Sequence, residues 1–249
     1  MIKQDIHTYQ KENIYDLDNH IVMYDYAERI VKAVKEERNA ASLRVLELGL
    51  GHGYTASVFS GAFEDYTILE GDEGLIRKFR KEHGEVQAEI IHTMFEDYHT
   101  SLEYDVIIMG FILEHVDNPV EIMRKYGKIL ARGGVIYITV PNAEALNRRV
   151  GQAAGLLDDL KQLSEHDVRA GHKRYYDVGT IAQDCEKAGL VVRKIEGIFL
   201  KPITTEQMIK LHLPDDILRG FCETGRKYPE LCLSLFIEAK KACDVSNAV

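Results

Sequence analysis

Cysteine is scarce: the 249 residues hold four (Cys185, Cys222, Cys232, Cys243), none of them in C-x-x-C spacing. No opening stretch of charged, apolar and small residues of the secretory kind is present either, so a disulfide scaffold is excluded and reduced thiols in a cytoplasmic protein are expected. An excess of positive charge is also missing. With 31 Lys and Arg against 40 Asp and Glu, the net charge is −9, which disfavours the phosphate backbone that basic footprints recognise, so no nucleic-acid partner is expected. Long apolar runs are absent as well. Val135–Val140 is of strand length, far below the roughly 20 residues a membrane helix needs, and no membrane partner is expected. There is no internal repeat and no low-complexity tract. What remains, 45% hydrophobic residues, suffices for one full core, and a single domain over residues 1–249 is expected.

After a polar leader with tyrosines, Asn19 can cap a helix reaching about Arg38, with Ile21, Tyr24, Ile30, Val31 and Val34 at helical spacing; residues 1–40 read as a lid or cover helix. Short apolar runs then alternate with amphipathic segments. Strands are expected at Leu43–Leu48, Tyr66–Glu70, Glu89–His92, Tyr104–Met109 and Val135–Val140, with helices at 54–62, 74–83 and 118–131. Uninterrupted apolar strands in β-α alternation imply a mostly parallel sheet covered on both faces. Past Pro141 a long, helix-patterned stretch (142–163) opens an insertion over residues 142–176. A helix at Val178–Ala188 and a strand at Leu190–Ile195 follow. A second insertion at 201–230 precedes a final run, Leu231–Ala239, for seven strands in all.

Chemistry concentrates in residues 43–142. The segment Val45-Leu46-Glu47-Leu48-Gly49-Leu50-Gly51-His52-Gly53 ends a strand on an acid and follows it with three alternate glycines and a helix, letting backbone turn sharply against a ligand. Glu70 ends the next strand about 20 residues later, where a carboxylate can accept both hydroxyls of a ribose; Asp72 is the competing acid. After the third strand, Thr93-Met94-Phe95-Glu96-Asp97 offers apolar flanks for a flat base and an acid for its amine. Any one of these alone reads equally well as a strand end or ordinary core. Their order after successive strands is what carries weight.

On "VLELGLGHG", "ILEGDE", "FEDY", "YDVIIMGFILEHVDNP" and "LARGGVIYITVPN", the chain resembles the class I S-adenosylmethionine-dependent methyltransferases, the group with ubiquinone-biosynthesis-type and small-molecule enzymes. The resemblance implies a Rossmann-like α/β fold whose insertions cover the substrate, with S-adenosylmethionine as cofactor. It further implies that Glu47 and the Gly49/Gly51/Gly53 loop hold the methionine moiety and Glu70 the ribose with Gly71 beside it. Met94, Phe95 and Glu96 would hold the adenine, Gly110 and Phe111 would border the sulfonium, and Tyr15, with Tyr9 and His20, would belong to a lid.

Methyl transfer from a sulfonium is an in-line displacement that needs alignment, and an oxygen nucleophile also needs a base. His115, after the fourth strand, is the first candidate because an imidazole titrates near neutrality; His172 is the second. The run from Ser164 to Tyr176 gathers titratable and aromatic groups, and His166, Arg174 and Tyr175 are candidates for holding a small-molecule acceptor. No metal is expected, since no ligand-spaced cluster of His, Asp and Cys occurs. The expected activity is O-methylation of a sugar, phosphorylated metabolite or natural product, with N- or C-methylation open. Two other classes stay open: a dinucleotide oxidoreductase, whose G-x-G-x-x-G is missing, and a non-catalytic ligand-binding protein on the same fold. The acceptor and the oligomeric state, a homodimer among the options, are not legible.

Overall fold

In the computed structural model, which describes residues 16–37 and 42–245, one seven-stranded sheet runs through the whole chain. Its elements are α1 (Asp16–Glu37), β1 (Arg44–Leu48), α2 (Tyr54–Ser60), β2 (Asp65–Glu70), α3 (Glu73–Glu82), β3 (Glu89–His92), β4 (Tyr104–Gly110), α4 (Pro119–Lys128) and β5 (Leu130–Pro141). Then come α5 (Leu146–Ala153), α6 (Glu165–Arg169), α7 (Val178–Lys187), β6 (Leu190–Ile198), α8 (Thr205–Lys210), α9 (Asp215–Gly225), β7 (Ser234–Lys241) and α10 (Ala242–Val245). The strand order is β3-β2-β1-β4-β5-β7-β6. The first five strands pair in parallel, and β7 runs antiparallel to both β5 and β6.

This is the expected Rossmann-like α/β architecture. The centre of the sheet is apolar on both faces because both are covered. Leu17, Ile21, Tyr26 and Ile30 of α1, Phe59 of α2 and Phe79 of α3 pack on one face together with Met208 and Leu218 from the second insertion. Ile122, Met123 and Tyr126 of α4 and Ile181 and Cys185 of α7 pack on the other. The chain reverses its winding between β1 and β4, so their carboxyl ends border a crevice of the kind in which α/β sheets bind ligands.

The element ends have local causes. Asp72 caps α3, its Oδ1 accepting from the Gly74 and Leu75 amides at 2.7 and 3.1 Å. Asn118 caps α4 ahead of Pro119, and Asp177 forms a capping box with Thr180 at α7. Such oxygens take up amides that the first turn of a helix leaves unpaired.

Three expectations need correction. Asn19 is not the N-cap of the first helix, which starts at Asp16, with Asp16 and Asp18 in its first turn, where acids suit the dipole. The stretch 142–163 is not one long helix: α5 stops at Ala153, and Gly155 follows with φ +73°. The last strand begins at Ser234, because Pro229–Leu231 forms a single 3-10 turn. Tyr9 and Tyr15 lie outside the described residues.

Both insertions are anchored at the carboxyl side of the sheet. The Asn142 amide donates to the carbonyl of Cys232 at 2.8 Å and to those of Pro229 and Glu230 at 3.2 Å. Lys201, buried, pairs with Asp18 of α1 at 2.5 Å and donates to Thr205 at 2.6 Å.

The capping geometry makes a test. Asp72→Ala is expected to lower the free energy of urea unfolding, followed by circular dichroism, by about 1 kcal/mol, and Asp72→Asn by much less. Equal losses in the two variants would show that the cap is not what Asp72 contributes.

Candidate active site

The glycine loop is wound in left-handed backbone, with φ +86° at Gly49, +52° at Gly51 and +74° at Gly53. A Cβ on Gly53 would sit 2.7 Å from the Phe79 ring, whereas one on Gly51 would meet nothing within 4 Å. Position 53 is thus held by packing from behind and position 51 faces free space.

Beneath the loop lies Glu47, 2% exposed. Thr55 donates to its Oε1 at 2.7 Å, and the Tyr66 hydroxyl makes a short hydrogen bond to Oε2. Burial pushes the Glu47 carboxyl up to about 7, although both hydroxyls favour its charged form. Tyr26 of α1 reaches the same group through a hydrogen bond with Thr55. Each Glu47 oxygen accepts one hydrogen bond inside the protein, and the residue's burial keeps it below the loop.

Glu70 ties two segments together, accepting from the amides of Leu50 and Asp72 at 2.9 Å each. A carboxylate has about four lone-pair positions, so two remain for a ligand. Asp72 is occupied in capping α3, which favours Glu70 of the two acids. Across from it, Met94 is 56% exposed, and its sulfur lies 2.7 Å from where a Cβ on Gly71 would be. Phe95 is half-buried and Glu96 exposed. The Phe95 carbonyl accepts from the Tyr126 hydroxyl at 2.9 Å, which fixes the turn after β3.

At the end of β4, a Cβ on Gly110 would run into the Tyr26 hydroxyl. Phe111 has φ +55°, a left-handed conformation that costs a residue with a side chain roughly 1–2 kcal/mol. Its amide donates to the Thr139 carbonyl at 2.8 Å. Backbone held in this region by its surroundings concentrates at functional sites.

The turn after Phe111 brings Glu114 and His115 against the segment after α6. The His115 and His172 rings meet edge-to-face, centroids 4.7 Å apart at 83°. Asp167 faces His172 Nδ1 at 3.4 Å and accepts from the Ser164 amide at 2.7 Å and from the Tyr175 hydroxyl at 3.0 Å. Burial opposes its charge, but the bonds from His172, Ser164 and Tyr175 outweigh it and hold Asp167 well below the usual carboxylate range. For His172, burial disfavours the cation, yet Asp167 and Glu114 raise its pKa above the ordinary value. His115 shifts the other way, lowered by burial and then by the neighbouring His172 charge. Glu114 is fully buried and neither carboxylate oxygen has a hydrogen-bond partner; burial pushes it up to about 7.

Both candidate bases thus fall in one cluster. The acceptor candidates do different work. Arg174 donates to the carbonyls of Leu113 at 2.8 Å, Val116 at 2.5 Å and Asp117 at 3.1 Å, so it fastens the turn that carries His115. Tyr175 stacks under the Arg148 guanidinium at 4.3 Å while holding Asp167. His166 sits half-buried in α6, one residue before Asp167. Sequence reasoning missed Glu114 and Asp167, although Ser164-x-x-Asp167 is a capping-box signature. It also missed Tyr26, Thr55 and Tyr66, and the rings of Tyr24, Tyr54 and His52 that gather with His20, the lid candidate that lies among the described residues; His52 and Tyr54 are 5.9 Å apart. No local pattern announces those.

Fold and site together define a class I S-adenosylmethionine-dependent methyltransferase. Residues 19–195 match the family described as "Methyltransferase domain", and the chain belongs to it. A ubiquinone biosynthesis O-methyltransferase of Aeromonas salmonicida is 26% identical over 170 residues, which cover 66% of this chain and 69% of that protein. Among solved structures, magnesium protoporphyrin IX methyltransferase of Synechocystis, with bound SAH, aligns with a TM-score of 0.62 at 13% identity, over 95% of this chain and 92% of that one. An S-adenosylmethionine-dependent methyltransferase of Mesorhizobium loti aligns with a TM-score of 0.59 at 14% identity, over 88% of this chain and all of that one. No helix among the described residues is long and apolar enough to cross a membrane.

The buried carboxyl under the loop has a pH signature. A folded-state value raised from 4.5 to about 7 means that the folded chain holds a proton the unfolded chain has released, so stability falls as pH rises across that interval. Glu114 and Asp25, raised to about 7 and about 6, add to the same slope. Glu47→Gln is expected to lessen the loss of urea midpoint between about pH 5 and about pH 8 without abolishing it. An unchanged or steeper slope would mean that Glu47 does not carry this proton.

Proposed function

We propose that the chain methylates a hydroxyl oxygen of a small molecule, with His115 accepting the hydroxyl proton. The observation that carries this reading is the opposite bias of two touching histidines. His172 is biased toward its cation by Asp167 and Glu114, while His115 is biased toward its neutral form by burial and by His172. A base must be unprotonated at working pH, and the lowered member of a pair fits that need.

The cofactor fits the residues present. Free space over Gly51, two unused lone pairs on Glu70 and the exposed face of Met94 all follow the carboxyl ends of β1, β2 and β3. The Gly49/Gly51/Gly53 loop, kept in shape by Glu47 below, would hold the methionine moiety. Glu70 would take the ribose hydroxyls, and Gly71, Met94, Phe95 and Glu96 the adenine, with Gly110 and Phe111 beside the sulfonium. When bound, S-adenosylmethionine supplies an electrophilic methyl group whose bond to sulfur breaks as the bond to the acceptor oxygen forms, sulfur keeping the electron pair. His115 takes the proton from that oxygen. Arg174 and Tyr175 keep His115 and Asp167 in place, and small displacements of such a group cost rates of about a hundredfold. The Aeromonas relative is an O-methyltransferase by name, which supports oxygen as the acceptor atom.

His115→Asn is expected to lower turnover by about 10²–10⁴-fold while calorimetric affinity for S-adenosylhomocysteine stays unchanged. His172→Gln removes a positive neighbour, so the acid limb of the kcat/KM profile is expected to move to higher pH. Full turnover in His115→Asn would remove the base, and failure of the wild-type chain to bind either S-adenosylmethionine or its product would remove the whole reading. Glu70→Ala should weaken cofactor binding with the fold retained, each lost charge-assisted hydrogen bond being worth about 1.5–3 kcal/mol at most.

A further inference from the structure

Glu114 poses a problem that methyl transfer does not solve: it is a fully buried carboxyl whose two oxygens have no hydrogen-bond partner, met by the charges of His172 and Arg174, and such a group is costly. One of its oxygens and one ring nitrogen each from His115 and His172 lie within 4.8 Å of one another. The far side of each ring faces a protein group. His172 faces the Asp167 carboxylate through Nδ1, and the His115 ring hydrogen-bonds the Gly171 backbone, with Nδ1 on that side. Metal-binding histidines show this arrangement: one nitrogen is held by a carboxylate or a backbone carbonyl, which orients the ring and leaves the other nitrogen to the ion.

We propose that Glu114, His115 and His172 form a binding site for a divalent first-row transition ion, with zinc as its type. Two imidazoles and one carboxylate make a donor set that zinc and its neighbours accept with a position left open, whereas magnesium and calcium prefer oxygen ligands alone. All three ligand atoms lie within 4.8 Å of one another, close enough for one ion to meet them together. Sequence spacing hides the site, because Glu114 and His115 follow β4 and His172 follows α6.

The site exists independently of methyl transfer; only its use rests on that reading. With the ion bound, the His115 ring is no longer a proton acceptor. A hydroxyl coordinated at the open position has its pKa lowered by the ion and releases its proton to solvent. Bound ion and free base are therefore alternative states of the same cluster, and turnover before and after chelation separates them.

The experiment uses the full chain, dialysed against a chelator and titrated with Zn2+ by calorimetry and with Co2+ by visible absorption. One equivalent is expected to bind with a Kd of about 1 µM or tighter, with the Co2+ bands of a nitrogen and oxygen site. His172→Ala and Glu114→Gln are each expected to weaken binding more than a hundredfold, and Asp167→Asn by about 10–100-fold. Circular dichroism and S-adenosylhomocysteine binding establish that each variant is folded. If Glu114→Gln does not fold, His172→Ala and Asp167→Asn decide the matter. No saturable binding of either ion, or isotherms unchanged in the folded variants, would overturn the site. S-adenosylhomocysteine binding measured on the same chelated protein shows whether the methyltransferase reading stands when the metal site does not.

Discussion

A carboxylate buried under a glycine loop sets the terms for the cofactor crevice. Glu47 stands at the last turn of β1 with Thr55 from α2 and Tyr66 from β2 donating into it, so strand, helix and neighbouring strand are fixed to one charged point. Thr55 also meets Tyr26 of α1, and the Tyr26 hydroxyl fills the space that a side chain at residue 110 would occupy. Removing the hydroxyls would leave a buried charge without partners, and removing the charge would leave the hydroxyls unsatisfied. The loop geometry, the seat of α1 and the bare backbone at the end of β4 are one connected arrangement.

A second buried carboxyl organises the other half of the site. Glu114 and Asp167 approach the histidine pair from two elements, α6 and the turn after β4, and the rings respond unequally because only His172 touches Asp167. Arg174 closes the circle by holding three carbonyls of the turn. The pair is thus polarised unequally by its surroundings, which is how identical side chains acquire different proton affinities.

Much of this was readable from residue order alone. The parallel strands declared themselves because a sheet covered on both faces demands continuous apolar runs, and the glycines and Glu70 stood at strand ends. The stretch after Pro141 misled because Ala, Leu and Arg are strong helix formers, but propensity is only a weak prior: α5 stops at Ala153, and Gly155 follows in left-handed backbone. Asn19 looked like a cap, but Asp16 and Asp18 lie upstream and the helix begins with them. Glu114 was hidden next to the more conspicuous His115, and Arg174 read as a residue that holds the acceptor because the carbonyls that receive it belong to a turn far away in the chain. Local patterns report strand ends and caps; they carry no record of which turns the fold will press together.

The position of β7 has a consequence for how the molecule comes into being. Ser234–Lys241, the last strand in chain order, lies between β5 and β6 and pairs antiparallel with both. During synthesis, β5 and β6 therefore emerge well before the strand that joins them, each with an edge of unpaired amides and carbonyls, and such edges invite pairing with other chains. The nascent protein can assemble β1 to β5 early, but the sheet closes only as Ser234–Lys241 slots into the gap between β5 and β6, making β7 the latch of the fold.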